Sequence, residues 1–305
     1  MRRSERQAFP ASILWLLVAL TLGWGFNWPL LKLAISEMPI LTFRSLCLFG
    51  GAAGLFLIGS CAGMPLRVPR GQWRTVLFIA LMNISIWNLC VIYGIRHMTS
   101  GRAAILAYTM PLWGVLLSAW LLRERLTQRR ILGIVLGMGA MLLLLINEIE
   151  AVQAAPKGTL LLLFGAFFWA LGTVLIRRHP VDMPVVVFTA WQLLLGGIPI
   201  YAGMFAFEIG QLRPLTLWPA LAVVYNLFVA FIFCQWAWFK IAVTVPVGVS
   251  TLSTLMIPVV GVFSGMLVLG EQPHWQDFAA LALVLLALGT VMLPPGWFRA
   301  LVSGR

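Results

Sequence analysis

The groups in this chain that could contact a small molecule lie inside apolar stretches, at helical spacing. In the first stretch Trp24, Asn27 and Trp28 fall on one helical face, which Lys32 continues. Indole rings and amides on one face suit a ligand with a ring and a polar head, bound rather than chemically changed. Because polar side chains are costly inside a bilayer, such a face indicates either a helix contact or the lining of a cavity.

Groups of the same kind recur in later apolar stretches. The further candidates for substrate binding are Asn83, Trp87, Tyr108, Trp169, Gln192, Gln235, Trp238, Ser250 and Ser253. Taken singly, each is more simply a helix–helix hydrogen bond or a packed ring. Because they recur in matching stretches of both halves of the chain, together they predict a substrate cavity.

Arg44 and Lys32 are the basic candidates for that cavity. Each lies near the end of an apolar stretch, where a long side chain can extend to the membrane surface. Alternatively, either cation could neutralise a substrate carboxylate, which a guanidinium binds through two parallel hydrogen bonds. Both interpretations stay open, and an inward-facing cation would favour carboxylates over cationic drugs.

Pro111 and Pro258 occupy matching places in the two halves of the chain. A proline inside a helix removes one backbone hydrogen bond and bends the helix. The matched pair therefore predicts two helix bends that act as gates.

The chemistry that is missing is also informative. Asp and Glu occur only at the ends of the apolar stretches, and the three histidines lie in or near connections. There is no phosphate-binding glycine loop, no nucleophile–base pair and no metal-ligand cluster, so we predict no catalytic residue, cofactor or metal. Proton-coupled carriers usually bury a titratable group. The absence of such a group favours passive, gradient-driven transport, with Glu37, near an external mouth, as the alternative site of proton coupling.

The composition of the chain is that of a membrane protein. The chain is 61% apolar and 10% charged, with a mean hydropathy of +0.98. Ten stretches are long enough to be spanning helices, at about 11–35, 40–61, 74–95, 100–122, 130–147, 158–177, 184–207, 216–240, 246–269 and 276–293. The net charge of +12 lies in short clusters between them. That distribution follows the positive-inside rule rather than a nucleic-acid-binding face, and it predicts cytoplasmic N- and C-termini.

The chain also repeats itself. Glu37 recurs as Asp182, 145 residues later, whereas Glu124 recurs as Glu271, 147 residues later. We therefore divide the chain into repeats 1–146 and 147–305, each with five helices. Because five is odd, the second repeat must enter the membrane upside down. The predicted fold is an all-α membrane protein of two inverted repeats around a central cavity.

Pairs of glycines four residues apart allow helix backbones to approach closely. They are Gly50 and Gly54, Gly133 and Gly137, and Gly261 and Gly265. Packing within one monomer is the favoured interpretation. Dimerisation through the fifth and tenth spans is the alternative.

Several motifs resemble the drug/metabolite transporter superfamily, in the ten-helix branch with two EamA domains. They are the tract 24–28, Pro111 followed by Glu124, and Pro258 followed by Glu271. Within that branch the chain is most similar to YddG-type exporters of aromatic amino acids. The resemblance implies a bacterial inner-membrane protein that exports Phe, Tyr and Trp, with Met and Thr as further substrates. It also implies a cavity lined by spans one to four and six to nine.

The sequence is compatible with three functions. The leading one is an amino-acid exporter working by alternating access, with the two repeats rocking around a midplane site. The second is a broad exporter of drugs or metabolites. The third, an integral-membrane enzyme acting on lipid-linked substrates, would need acidic or metal-binding residues near one membrane surface, and none cluster there.

Overall fold

The computed structural model describes residues 11–95, 106–124, 126–146, 156–211, 213–270 and 275–292, which form ten helices, a short 3₁₀ helix (Ile209–Gln211) and no strand. Seven of the helices are regular: α1 (Ala11–Ala34), α2 (Ile40–Cys61), α4 (Met110–Leu121), α5 (Gln128–Ile146), α6 (Pro156–Arg178), α7 (Val185–Phe207) and α10 (Trp275–Met292). The other three are composite. Helix α3 joins Trp73–Ala80, the π-helical stretch Leu81–Ile86 and Trp87–Ile95; α8 joins Leu217–Tyr225, the π-helical stretch Asn226–Cys234 and Gln235–Thr244; α9 joins Val247–Ser253 and Met256–Leu269.

Six of these helices, α1, α2, α3, α6, α7 and α8, are long and apolar enough to cross a membrane. Helices α4, α9 and α10 contribute shorter apolar segments. Large apolar side chains such as Trp15, Trp120 and Leu267 are more than two-thirds exposed on the outside of the bundle, at 72%, 75% and 78%. Such an apolar exterior is what lipid requires. The prediction of an all-α membrane protein is confirmed; residues 100–105 of the predicted fourth span lie outside the described residues.

The two repeats begin their second helices in the same way. Pro39 precedes α2 and Pro184 precedes α7, both with extended backbone. Their carbonyl oxygens accept the N–H groups of Phe43 and Phe188, at 2.9 Å each. Proline suits this position because its missing N–H would have no helical partner there.

The main packing pairs map onto one another when the two repeats are exchanged. Helix α1 packs on α9 as α6 packs on α4, and α3 packs on α6 and α7 as α8 packs on α1 and α2. The remaining pairs, α2 with α7 and α5 with α10, each join two equivalent helices. This exchange is what a pseudo-twofold axis between two repeats produces, and it confirms the predicted repeat architecture.

All of these pairs join a helix of one repeat to a helix of the other. The repeats are therefore interleaved and are not two bodies lying side by side. Rocking of one repeat against the other would break most of these contacts. Any rocking unit must instead combine helices from both repeats.

Glycines allow several of these contacts to be close. A Cβ atom on Gly50 or Gly54 of α2 would lie 2.7 Å and 2.5 Å from the side chains of Leu227 and Ile232 on α8. These glycines therefore serve packing within the monomer, as the favoured interpretation predicts.

Polar groups of one repeat also satisfy helix ends in the other. Glu208, at the end of α7, is 6% exposed. Its carboxylate accepts hydrogen bonds from Leu41 N (3.2 Å), Thr42 N (2.7 Å) and Thr42 Oγ1 (3.0 Å) at the start of α2. The first N–H groups of a helix have no partner within it, and the helix dipole favours negative charge there.

Two further contacts at helix starts occupy equivalent positions in the two repeats. Glu37, before α2, accepts the Thr216 N–H and hydroxyl, both at 2.7 Å, at the start of α8. At the equivalent place, before α7, the Asp182 N–H donates to Gln72 Oε1 at 3.0 Å, next to the start of α3. The contact lies at the same position in both repeats although its chemistry differs.

We expect Glu208→Ala to destabilise the protein by about 1–3 kcal/mol, because buried donors at the start of α2 lose their acceptor. Thermal unfolding of the purified protein in detergent measures this as a lower Tm. Glu208→Gln keeps one carbonyl oxygen and should lose less. Glu37→Ala, at the more exposed contact, is the control, and an equal fall in Tm for both alanine variants would contradict the prediction.

Candidate functional site

Four tryptophans meet where α1, α3, α6 and α8 converge, and we call them the tryptophan cluster. The Trp169 ring centroid lies 6.1 Å from Trp24, 5.1 Å from Trp87 and 6.0 Å from Trp238. Trp24 and Trp238 are 6.1 Å apart. Each repeat supplies two of the rings. The separations lie in the range that edge-to-face and tilted aromatic pairs prefer, so the cluster holds the two repeats together at their centre.

A cavity of about 80 Å³ lies beside the tryptophan cluster. Its lining comes from α1, α2, α3, the start of α4, α6 and α8, and consists of Trp24, Asn27, Trp28, Leu31, Arg44, Trp87, Asn88, Val91, Tyr108, Met110, Trp169, Ala230, Phe231 and Gln235. Both repeats therefore contribute to it, and we call it the central cavity. The described residues of α7 and α9, two helices expected to line it, contribute nothing.

Arg44 supplies the positive charge of the central cavity. Its side chain is buried, with the residue 8% exposed, and the guanidinium carbon lies 5.7 Å and 5.6 Å from the ring centroids of Phe43 and Phe231. Its Nε atom has no hydrogen-bond partner, and none of the lining residues is acidic. A buried cation is costly without an anionic or hydrogen-bonding partner. The sequence left open whether this side chain turns outward or inward, and it turns inward.

Two amide side chains add acceptors to the same lining. Asn27 Oδ1 and Gln235 Oε1 are both buried without a hydrogen-bond partner, although an amide can present either its oxygen or its nitrogen. Elsewhere in the lining, Trp28 and Tyr108 form an edge-to-face pair 6.2 Å apart. The cavity thus combines one cation, three amides, two of them with an oxygen that lacks a partner, and several rings. This set suits a ligand with an anionic group, a donor group and an apolar ring.

Comparison with known protein families identifies the family to which this chain belongs. The sequence model of the EamA-like transporter family matches residues 11–146 and again residues 156–293. The chain belongs to the EamA-like transporter family. Two matches in one chain also accord with the paired packing of the helices.

Individual relatives are distant but span most of the chain. "Uncharacterized transporter YoaV" of Bacillus subtilis (strain 168) is 26% identical over 84% of this chain and 88% of its own length. "Probable amino-acid metabolite efflux pump" of Escherichia coli (strain K12) is 25% identical over 92% of this chain and 95% of its own length. A solved crystal structure superposes with a TM-score of 0.76 at 22% identity, covering 93% of this chain and 98% of that one, and so shares the fold.

The EamA-like fold does not bring all the predicted residues to the central cavity. Asn83 Nδ2 donates to the Trp169 carbonyl oxygen at 2.9 Å, and Gln192 Nε2 donates to the Val76 carbonyl oxygen at 3.0 Å. Both side chains are fully buried. Their amide nitrogens join helices through backbone acceptors, a contact that favours helix association in a membrane, while their amide oxygens are buried without a partner. Asn83 thereby also holds the segment of α6 that carries Trp169.

Four other predicted residues lie outside the lining as well. Ser250 Oγ donates to the Val247 carbonyl oxygen at 3.0 Å within its own helix, and Ser253 is buried in α9. Lys32 is exposed. Trp238 is fully buried beneath the lining, as part of the tryptophan cluster.

Neither Pro111 nor Pro258 interrupts a helix. Pro111 lies in the first turn of α4, after a turn at 108–109, and Pro258 lies in the first turn of the second segment of α9, after a turn at 254–255. A missing N–H has little cost in a first helical turn. The sequence predicted a bend at each proline; the structure instead has a break in the helix just before each proline. A gating role stays a prediction.

Some lining residues gave no signal in the sequence. Phe231, Leu31, Val91, Met110 and Ala230 are apolar residues in apolar helices, and nothing in their type separates a residue facing a cavity from one facing lipid. Asn88 was visible as an intramembrane amide beside Trp87. It lines the cavity while donating to the Ile84 carbonyl oxygen at 2.8 Å.

We expect Gly172→Ala to destabilise the protein by about 1–3 kcal/mol, because the added carbon overpacks the contact between α6 and α3. An ideal Cβ on Gly172 would lie 2.7 Å from Asn83 Cβ and 3.1 Å from its Cα. Gly139→Ala, whose Cβ meets only Leu283 at 3.7 Å, is the matched control. In thermal unfolding measurements in detergent, Tm should be lower than that of wild type for Gly172→Ala alone. A Tm equal to that of wild type in Gly172→Ala would contradict the prediction, because it would show that α3 can shift freely.

Proposed function

We propose that this EamA-like transporter exports aromatic amino acids, Phe, Tyr and Trp, with Met and Thr as further substrates, from the bacterial cytoplasm across the inner membrane. The observation that carries the proposal is Arg44, a buried guanidinium facing a cavity with no acidic lining residue and walls of tryptophan. The coarser assignment, a membrane transporter of small molecules, follows from the family.

The substrate carboxylate binds Arg44 in this proposal. A guanidinium presents donors in a planar fork that matches both carboxylate oxygens. Such a contact offsets the cost of keeping the cation away from water, and it is strongest where water is scarce. A carboxylate is therefore the group that the described lining residues best accommodate at this position.

The rest of an amino acid fits the remaining lining. Its ammonium group donates to Asn27 Oδ1 and Gln235 Oε1, the acceptors that lack partners. Its side chain packs on the rings of Trp24, Trp87 and Trp169. Aromatic pairs contribute roughly 0.5–1.5 kcal/mol beyond the area they bury, so ring-bearing substrates gain most.

Transport proceeds by alternating access. The central cavity of about 80 Å³ is smaller than the roughly 300–1,000 Å³ of ordinary small-molecule sites. Helices must therefore move apart before an aromatic amino acid can enter. The composite helices α3, α8 and α9, which contain the irregular turns, are the natural places for that movement.

The relatives and the charge pattern support the setting. The Escherichia coli relative carries the printed name of a probable amino-acid metabolite efflux pump. Basic residues gather in alternate connections, which favours a multi-pass inner-membrane protein with both termini in the cytoplasm. We further propose a monomer that works as a uniporter, since a zwitterion carries no net charge and the substrate gradient suffices to drive it. Export of cationic drugs is the second candidate, and Arg44 disfavours it.

We expect Arg44→Gln to lower phenylalanine transport about tenfold or more, since a charge-assisted hydrogen bond contributes roughly 1.5–3 kcal/mol. Counterflow of labelled phenylalanine in proteoliposomes measures the loss. Phenylpropionate should compete with phenylalanine, whereas phenethylamine, which has no carboxylate, should not. Arg44→Lys restores the charge without the fork and should recover part of the activity.

The control for this experiment is Arg74→Gln, at an exposed arginine at the start of α3, which should leave counterflow unchanged. All variants are compared at equal amounts of folded protein. Uptake of a cationic drug that persists in Arg44→Gln, without amino-acid counterflow in the wild type, would reject amino-acid export and favour the second candidate.

Trp87→Ala should weaken transport of phenylalanine at least about twofold more than transport of threonine. Only phenylalanine has an aromatic ring that can stack on the indole removed by the substitution. Competition between the two labelled substrates in the same proteoliposomes gives the ratio directly. Trp120→Ala removes an equally large side chain from the outside of α4, where it is 75% exposed, and should not change the ratio. An unaltered ratio in Trp87→Ala would mean that the cluster does not select for rings.

A further inference from the structure

A second, larger cavity lies at the C-terminal ends of α6 and α8. Its volume is about 340 Å³, within the size range of small-molecule sites. Its walls are formed by Ile176, Arg177, Pro180, Val181, Met183, Val185, Phe188 and Val243. Arg177 is the one charged residue among them, and we call this space the Arg177 vestibule.

The vestibule continues the line of the central cavity along two shared helices. On α6, Ile176 follows Trp169 by about 10 Å, and on α8, Val243 follows Gln235 by about 12 Å, at 1.5 Å per residue. On α8, Phe239 lies between Gln235 and Val243 along the chain, and it pairs with Phe188 of the vestibule wall. Phe188 and Phe239 meet edge to face with centroids 5.4 Å apart, and Phe239 is fully buried.

The repeat gives the vestibule a counterpart. Ile176 and Arg177 lie 145 residues after Leu31 and Lys32. Leu31 lines the central cavity. Phe188 likewise lies 145 residues after Phe43, which packs beside Arg44. Each repeat thus places an apolar residue and then a cation at the corresponding end of its first helix. Leu31 lines the central cavity while Lys32 is exposed outside it, whereas both Ile176 and Arg177 line the vestibule.

We propose that the Arg177 vestibule is a second binding subsite, which takes the carboxylate of an amphipathic substrate at Arg177 and its apolar part against Val185, Phe188 and Val243. The proposal rests on the proposed function, because it concerns the same class of substrate. Arg177 is positioned for it: one Nη1 hydrogen bond to the Val245 carbonyl oxygen fixes the guanidinium, which has further donors. Separation of the Phe188–Phe239 pair then joins this subsite to the central cavity.

The test measures protection of a thiol placed in the vestibule. Cys47, Cys90 and Cys234 are buried and Cys61 is exposed, so Cys61→Ser gives a background with low reactivity. Val181→Cys then places a thiol in the vestibule wall, and Asp182→Cys places one on the neighbouring exposed residue, which is not part of the wall. Both proteins are reconstituted in liposomes and treated with a maleimide, with and without phenylalanine, phenylpropionate or phenethylamine.

Phenylalanine and phenylpropionate should slow modification of the Val181→Cys thiol by the factor 1 + [L]/Kd, about tenfold at nine times Kd. Phenethylamine should not slow it, and none of the three should slow the Asp182→Cys thiol. Adding Arg177→Gln should abolish protection, whereas adding Arg178→Gln, at the adjacent exposed arginine, should leave it intact. Protection that survives Arg177→Gln would overturn the proposal.

Two further arms separate this subsite from its alternatives. Protection should persist in Arg44→Gln; its loss there would make it a remote consequence of binding in the central cavity and would overturn the proposal. Transport that depends on Arg44 without protection at Val181→Cys would likewise overturn it while leaving the proposed function standing. A headgroup phosphate offers related chemistry, and a thiol protected by anionic but not neutral liposomes before any amino acid is added would assign Arg177 to lipid and overturn the subsite.

Discussion

Helices in a bilayer gain no hydrophobic free energy by leaving lipid for one another, so their association depends on close approach and polar contacts. In this chain both come from the partner repeat. The most extensive helix pairs, α2 with α7 and α5 with α10 among them, join the two repeats. Glu208 and Glu37 satisfy helix starts across the same boundary. Neither repeat alone would provide its helices with these partners, so the fold is specified only when both are present.

This interleaving also determines where a ligand can bind. The central cavity lies where α1 and α3 of one repeat meet α6 and α8 of the other, and residues of both repeats face it. Any relative movement of the surrounding helices therefore changes the shape of a site on this boundary. The tryptophan cluster, with two rings from each repeat, therefore serves both as packing and as cavity wall.

The sequence predicted the helices, the repeat and the most strongly marked cavity residues. Apolar length identifies a spanning helix, and two collinear sets of matches identify a duplication; Arg44 and Trp87 were visible because a cation and an indole are unusual inside a membrane. Which way a polar side chain turns was not predictable from its type. Asn83 and Asn27 are the same residue in similar apolar surroundings, yet Asn83 bonds to a neighbouring helix while Asn27 faces the cavity. That choice depends on which backbone carbonyl comes within reach once the helices pack.

The π-helical stretches of α3 and α8 differ in length, and so do the two copies of the repeat around them. Trp218 follows Trp73 by 145 residues, but Gly248 follows Gly101 by 147, so the second copy is longer between these points. The stretch Asn226–Cys234 is nine residues long and its counterpart Leu81–Ile86 is six. Inside a bilayer an insertion cannot loop out without exposing unpaired backbone groups. A wider helical turn can hold an added residue while keeping the backbone hydrogen-bonded. The longer π-helical stretch of α8 is therefore a place where a membrane-spanning helix can gain residues without breaking.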